Sequence, residues 1–251
     1  MIFTALLLAA AAAAAPAPPA PAPAPGAEQK VSFPTKDGWT ISALYRPARR
    51  HGAVLILAHG VGSSKGEWAG FTQRLAAKGV GTLAVDLRGH VESKMGPKGP
   101  RDSSDFDAAG EWPRAVGDLD AAADWLKARG VPEDRIALGG ASIGANLASV
   151  AAAARPKTPF LLLLSAGPDY RGVKLRKPET ETLAGASPGD LYAYQTLKPL
   201  ASVPGVDTFE APSGHGVQMF TDPATLDKIV DWVVAASKTP RPKRPAASGL
   251  R

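Results

Sequence analysis

Cysteine is absent from all 251 residues. Its absence excludes disulfides, thiolate-ligated metals and a lipid anchor on an N-terminal cysteine. Histidine is scarce, four in all, so any search for a general base is short. Long apolar runs are also missing. The first fifteen residues, MIFTALLLAAAAAAA, are uncharged and apolar but for Thr4, and fall short of the roughly 20 residues a membrane-spanning helix needs. They contain no Lys or Arg, yet their apolar body and small-residue end have the character of an export signal cleaved near Ala15. The expectation is an exported protein, periplasmic or secreted. Residues 16–30, which open with PAPPAPAPAP, read as an extended linker outside the fold.

Acidic residues are missing from the last fourteen positions, KTPRPKRPAASGLR. Lys238, Arg241, Lys243, Arg244 and Arg251 there supply five of the six net positive charges of the chain. The basic character therefore belongs to a Pro-rich tail, residues 238–251, expected to be disordered and solvated. Such a tail can make weak, charge-driven contact with anionic envelope polymers. It is not a folded basic patch, and no specific nucleic-acid partner is expected.

The segment between, 31–237, alternates short apolar runs with amphipathic stretches. VSFPT and WTISALYRP, joined by KDG, read as a hairpin. AVLILAH (53–59), VGTLAVDL (80–87), RIALGG (135–140) and PFLLLLSAG (159–167) read as buried strands. ETLAGAS and VDTFEAP are weaker strand candidates. Helices are expected over 66–78, 113–129, the stretch opening ASIGANLASVAAAA, and 217–237, with a polar Gly/Pro-rich loop at 88–111. Strands alternating with helices imply a mainly parallel sheet covered on both faces, with reactive groups at the carboxyl ends of the strands.

Gly-x-Ser-x-Gly occurs twice, around Ser142 and around Ser187. A nucleophile on a sharp strand-to-helix turn needs a strand leading in, small flanking residues and a backbone N–H on the next residue. Ser142 meets all three, with Ile143 supplying the N–H. Ser187 does not, because Pro188 has no N–H and turn residues follow in place of a helix. A dinucleotide-binding turn is the rival reading of GGASIG. It fails on glycine spacing, on its late position in the chain and on the missing ribose-binding acid.

Serine needs a base. His51 precedes a strand and lies at its wrong end. His215, in the Gly-rich loop PSGHGVQM after the last strand, is the candidate base. His59 and Gly60 open the loop HGVGSS, where the N–H of Val61, with that of Ile143, makes a plausible oxyanion hole. The acid that orients the histidine is Asp190 or Asp169, each following a strand after the serine; Asp190 follows the later one and is preferred. Asp86 more often serves such loops structurally.

With Ser142, Asp190 and His215 in that chain order, the sequence resembles the α/β-hydrolase superfamily, and within it the dienelactone-hydrolase-like and acyl-esterase-like members. The resemblance runs from about Val31 to Val234 and rests on HGVGSS, DLRGH, GGASIG, the SPGD turn and the GHG loop. It implies an α/β fold with a mostly parallel sheet of about eight strands, an acyl-serine intermediate, and neither metal nor organic cofactor. The implied activity is hydrolysis of a small-molecule ester or other acyl substrate, with a serine peptidase or amidase, or an exported binding protein on a hydrolase scaffold, as alternatives. The short connection after PFLLLLSAG leaves no space for a cap domain. The site is then expected to be open, with the 88–111 loop as one wall; its acidic DSSDFD segment is read as a solvated stretch of that loop in preference to a device against anionic substrates.

Overall fold

The computed structural model describes residues 27–107 and 110–238. The expected export signal, most of the linker and nearly all of the basic tail lie outside the described residues.

Eight strands form one sheet: β1 (Gln29–Pro34), β2 (Thr40–Arg46), β3 (Val54–Ala58), β4 (Gly81–Val85), β5 (Ile136–Ala141), β6 (Phe160–Leu164), β7 (Glu181–Ala186) and β8 (Val206–Glu210). Their spatial order is β1-β2-β4-β3-β5-β6-β7-β8. Only β2 runs against its neighbours; from β4 to β8 every pairing is parallel. The two weaker strand candidates are thus β7 and β8, in register from Thr182↔Val206 to Ala186↔Glu210.

The central strands are buried at every position because both faces are covered, and all but Thr82 of their residues are apolar or glycine. Ile56, Leu83, Leu138 and Leu163 pack on one side with Leu119, Trp125 and Leu147. These last come from α3 (Val116–Lys127) and α4 (Ile143–Ala153). Leu55, Leu57, Leu162 and Leu164 pack on the other side with Phe71, Leu75, Ile229 and Val233, from α1 (Ala69–Ala77) and α7 (Pro223–Ala236); two short helices, α5 (Leu191–Tyr194) and α6 (Leu197–Ala201), link β7 to β8.

Several boundaries differ from expectation. The first strand starts at Gln29, inside the span read as linker, because Gln29 and Lys30 pair with Tyr45 and Leu44. Backbone pairing of polar residues leaves no hydrophobic signature. The helix expected over 113–129 is a short α2 (Glu111–Arg114) followed by α3. The helix expected over 217–237 is a 3-10 turn, Gly216–Thr221, and then α7. Asp222 separates the two: its carboxylate accepts the Thr225 N–H at 2.9 Å, and Pro223 follows at the first helical position, where a missing N–H costs nothing.

The 88–111 loop is more ordered than its composition suggests. It carries a two-residue ladder, Met95–Gly96 with Gly99–Pro100, and a 3-10 turn at Ser103–Asp105. Arg88, 1% exposed, anchors it. The guanidinium pairs with Asp37 at 2.7 Å, Glu111 at 2.8 Å and Asp118 at 2.8 Å, tying the β1–β2 turn, α2 and α3 together. Between β6 and β7 the chain forms only a two-residue ladder, Asp169–Tyr170 with Val173–Lys174, and no cap is inserted there.

Candidate active site

Ser142 stands between β5 and α4 with φ 56° and ψ −127°, a backbone conformation that a non-glycine residue holds only when its surroundings force it. Here the forcing is visible. A Cβ on Gly140 would lie 2.3 Å from the Gly144 carbonyl carbon, and one on Gly144 would lie 2.3 Å from the Ala58 carbonyl oxygen. Glycine at both positions lets α4 start directly against β3 and β5. The Ser142 N–H donates to Leu164 O at 2.9 Å, fixing the turn to β6.

His215 follows β8. Gly214 and Gly216 on either side have φ +96° and +58°, and a Cβ on Gly216 would lie 2.9 Å from Ala141 Cβ. The loop is pinned where it passes Ser165, whose hydroxyl accepts the Gly216 N–H at 2.8 Å. His215 Nδ1 is 2.6 Å from Asp190 Oδ2. With Nδ1–H donating to that carboxylate, Nε2 is left with its lone pair.

Asp190 is presented by the second Gly-x-Ser-x-Gly stretch. Ser187, 2% exposed, is a turn former: its carbonyl accepts the Asp190 N–H at 2.9 Å and its hydroxyl the Gly189 N–H at 3.2 Å. Asp169 turns its carboxylate to the Gly172 N–H at 2.7 Å. Asp86 is fully buried and accepts from the Lys65 N–H at 2.8 Å and from the Lys65 ammonium.

The loop after β3 lies against the serine, since a Cβ on Gly60 would be 3.3 Å from Ser142 Cβ. Buried His59 braces it: Nδ1 is 2.7 Å from Gly60 O, and Nε2 accepts the Leu87 N–H at 3.0 Å. Desolvation, then the neighbouring His90, push the His59 pKa down to about 4, so the imidazole is neutral. His90 Nε2 accepts the Gly62 N–H at 3.3 Å. Among the described residues no hydrogen-bond acceptor takes the Val61 or Ile143 N–H.

Ser142, His215, Gly60 and Val61 line one cleft of about 480 Å³. None of the described residues of 88–111 lines it, contrary to expectation. Among the described residues that loop touches the edge of the site through the His90–Gly62 hydrogen bond, and the facing wall is the turn carrying Ser63 and Glu67 together with Gly216, Val217 and Gln218. The DSSDFD segment spends charge elsewhere, with Asp102 paired to Lys94 at 2.6 Å.

Two residues of the site escaped the sequence reading. The Tyr170 hydroxyl donates to Ser165 O at 3.1 Å and its ring meets the His215 ring edge-on at 6.3 Å. Burial, then the negative charge of Asp190, raise its pKa, while Ser142 beside it pulls the other way. Glu67 also reaches the cleft, on a 3-10 turn, Lys65–Trp68, expected to be the first turn of a helix. Neither position carries a spacing signal. Among the described residues no group of three or more His, Asp or Glu is placed to hold a metal.

Strand order, elbow and loop placement are those of the α/β-hydrolase fold. Residues 49–185 match the family described as Hydrolase_4, serine aminopeptidase, S33. That is more than half of the chain, and the chain belongs to this family; it is a hydrolase. The Pyrococcus furiosus esterase Pf2001 superposes with a TM-score of 0.62 at 16% identity, covering 84% of this chain and 91% of that one. A dienelactone hydrolase from Anabaena variabilis superposes with a TM-score of 0.62 at 20% identity, over 84% and 97%. At these identities the likeness shows the fold. Protein phosphatase methylesterase 1 of Schizosaccharomyces pombe is 35% identical over 77 residues, 28% of this chain and 23% of that protein. The chain therefore matches less than a quarter of that relative's length.

Proposed function

We propose that the protein is a serine hydrolase of carboxylic esters, with Ser142, His215 and Asp190 as its catalytic triad. The observation that carries this reading is the 2.6 Å pair between His215 and Asp190 in the loop that shares a cleft with Ser142. Ser142 Oγ attacks the acyl carbon while His215 Nε2 takes its proton. The N–H groups of Val61 and Ile143 receive the developing oxyanion. His215 then protonates the departing alkoxide, and the acyl group stays on Ser142. In the second half His215 takes a proton from water, the resulting hydroxide attacks the acyl-serine, and Ser142 Oγ leaves with that proton. Asp190 fixes the imidazole tautomer throughout.

An amide substrate is the second reading, favoured by the aminopeptidase description of the family match. Labelling with a fluorophosphonate probe tests the shared chemistry: it is expected to disappear in Ser142→Ala and to persist in Ser187→Ala. Turnover of matched ester and anilide substrates then separates the two readings. The absence of labelling in folded wild type would overturn both and favour a binding protein on a hydrolase scaffold. Export is part of the same proposal and is read from the mature N-terminus, expected shortly after Ala15.

A further inference from the structure

Glu67 lies on the wall of the catalytic cleft with Ser142 and His215, and the chemistry just proposed has no use for it. Its carboxylate is unusual in its company. The Ser63 hydroxyl donates to Oε2, Oε1 has no hydrogen-bond partner among the described residues, and neither oxygen forms an ion pair there. The remaining lining groups are Gly60, Val61, Ala141, Gly216, Val217 and Gln218. None is a cation. A carboxylate withdrawn from water without a counter-ion is unfavourable unless something positive or a proton joins it. Elsewhere in this protein withdrawn acids have cations: Asp86 has Lys65, and Glu111 and Asp118 have Arg88. Glu67 alone among them faces the substrate cleft. Consistently, burial raises its pKa, with the Ser63 hydroxyl, the Gly60 backbone and His215 opposing.

We infer that Glu67 sets substrate charge: the cleft selects esters carrying a cationic group, a quaternary or protonated amine, and rejects anionic ones. The inference rests on the ester-hydrolase reading of Ser142. A cationic substituent entering beside Ser63 supplies the missing counter-charge in a partly water-excluded space, where the attraction is stronger than at the surface. A carboxylate-bearing substrate would place like charges together.

The test is a matched set of esters. Acetylcholine is paired with 3,3-dimethylbutyl acetate to put the charge on the alcohol side. On the acyl side, a 4-(trimethylammonio)butanoyl ester is paired with its 5,5-dimethylhexanoyl isostere and with a hemisuccinate. Wild type is expected to favour the cation over its neutral isostere by roughly ten-fold in kcat/KM on one side at least, the scale of a partly desolvated charge pair. The hemisuccinate is expected to be the poorest. In Glu67→Gln the cation-to-neutral ratio is expected to fall toward one, with the change in KM. A wild-type ratio of one, or a Glu67→Gln variant that loses cationic and neutral turnover equally, would overturn the assignment. The wild-type ratio decides the matter even if the variant does not fold. Fluorophosphonate labelling of Ser142 separates the two levels: labelling with a flat charge ratio defeats the role of Glu67 alone, whereas no labelling and no turnover defeats the hydrolase reading beneath it.

Discussion

Gly144 lies so close to the end of β3 that a Cβ there would stand 2.3 Å from the carbonyl oxygen of Ala58. The first turn of α4 and the edge of β3 thus meet backbone to backbone, two residues after Ser142. Gly144→Ala is expected to push that turn away from the sheet, at a cost of about 1–3 kcal/mol or more from overpacking. It should also shift the Ile143 N–H. Denaturant unfolding should show the loss of stability, and fluorophosphonate labelling should slow under conditions where the variant is still folded. Full labelling rates in a stable variant would mean that the turn tolerates the displacement.

Two aspartates near the site differ in what they hold. Asp190 bonds His215, whereas Asp169 bonds the Gly172 N–H. Asp190→Asn is expected to lower kcat by roughly three to four orders of magnitude, because an amide can present its N–H to Nδ1 and stabilise the wrong tautomer. Asp169→Asn retains an oxygen acceptor for Gly172 and is expected to stay within about three-fold of wild type, a change below 1 kcal/mol in the barrier. Steady-state kinetics on one neutral ester distinguishes the pair. Comparable losses in both variants would show that Asp169 acts on the site as well.

The proposed triad, Ser142, His215 and Asp190, could be nominated from the sequence because each member is marked by residues close to it in the chain. Glycines flank the serine and the histidine, and a Ser-Pro-Gly turn precedes the aspartate. Local steric demands of this sort are written in adjacent residues. Strand order was legible in class, since continuous apolar runs alternating with helices leave few topologies open. Glu67 and Tyr170 were not legible. Glu67 becomes a cleft residue only because the chain folds into a 3-10 turn over Ser63. Tyr170 reaches Ser142 from a two-residue ladder with no periodicity. The wall expected from 88–111 failed for a related reason: Arg88 draws that loop toward Asp37, Glu111 and Asp118, a three-element network that no local pattern announces.

Removing the hub of that network should be costly. Arg88→Met retains much of the side-chain volume but leaves Asp118, fully buried, without its cation. Breaking one side of a buried ion pair typically costs about 3–5 kcal/mol. Unfolding in urea should register a loss of that order. The effect should shrink when Asp118→Leu is combined with it, since the stranded charge is then gone. A purely additive double variant would show that the arginine acts through packing alone.

His59 gives the fold a pH dependence of definite sign. Its folded pKa is pushed to about 4 from the ordinary 6.5 by desolvation first and by His90 second, with Lys65 adding to the depression and Asp86 and the Gly60 carbonyl opposing. An unfolded chain therefore takes up the proton before the folded one does. Stability contributed by the neutral ring is fully present above pH 6.5 and is lost as pH falls from there to about 4. The shift corresponds to about 3 kcal/mol across that window. His90 is depressed too, chiefly by burial, and adds in the same direction. Glutamine at position 59 does not titrate. Wild type should be more stable than His59→Gln at pH 7 by the lost hydrogen bonds to Gly60 and Leu87, and that difference should shrink by about 3 kcal/mol at pH 4. Urea unfolding of both proteins across this range measures it. A difference independent of pH would place the His59 proton equilibrium where it is in water.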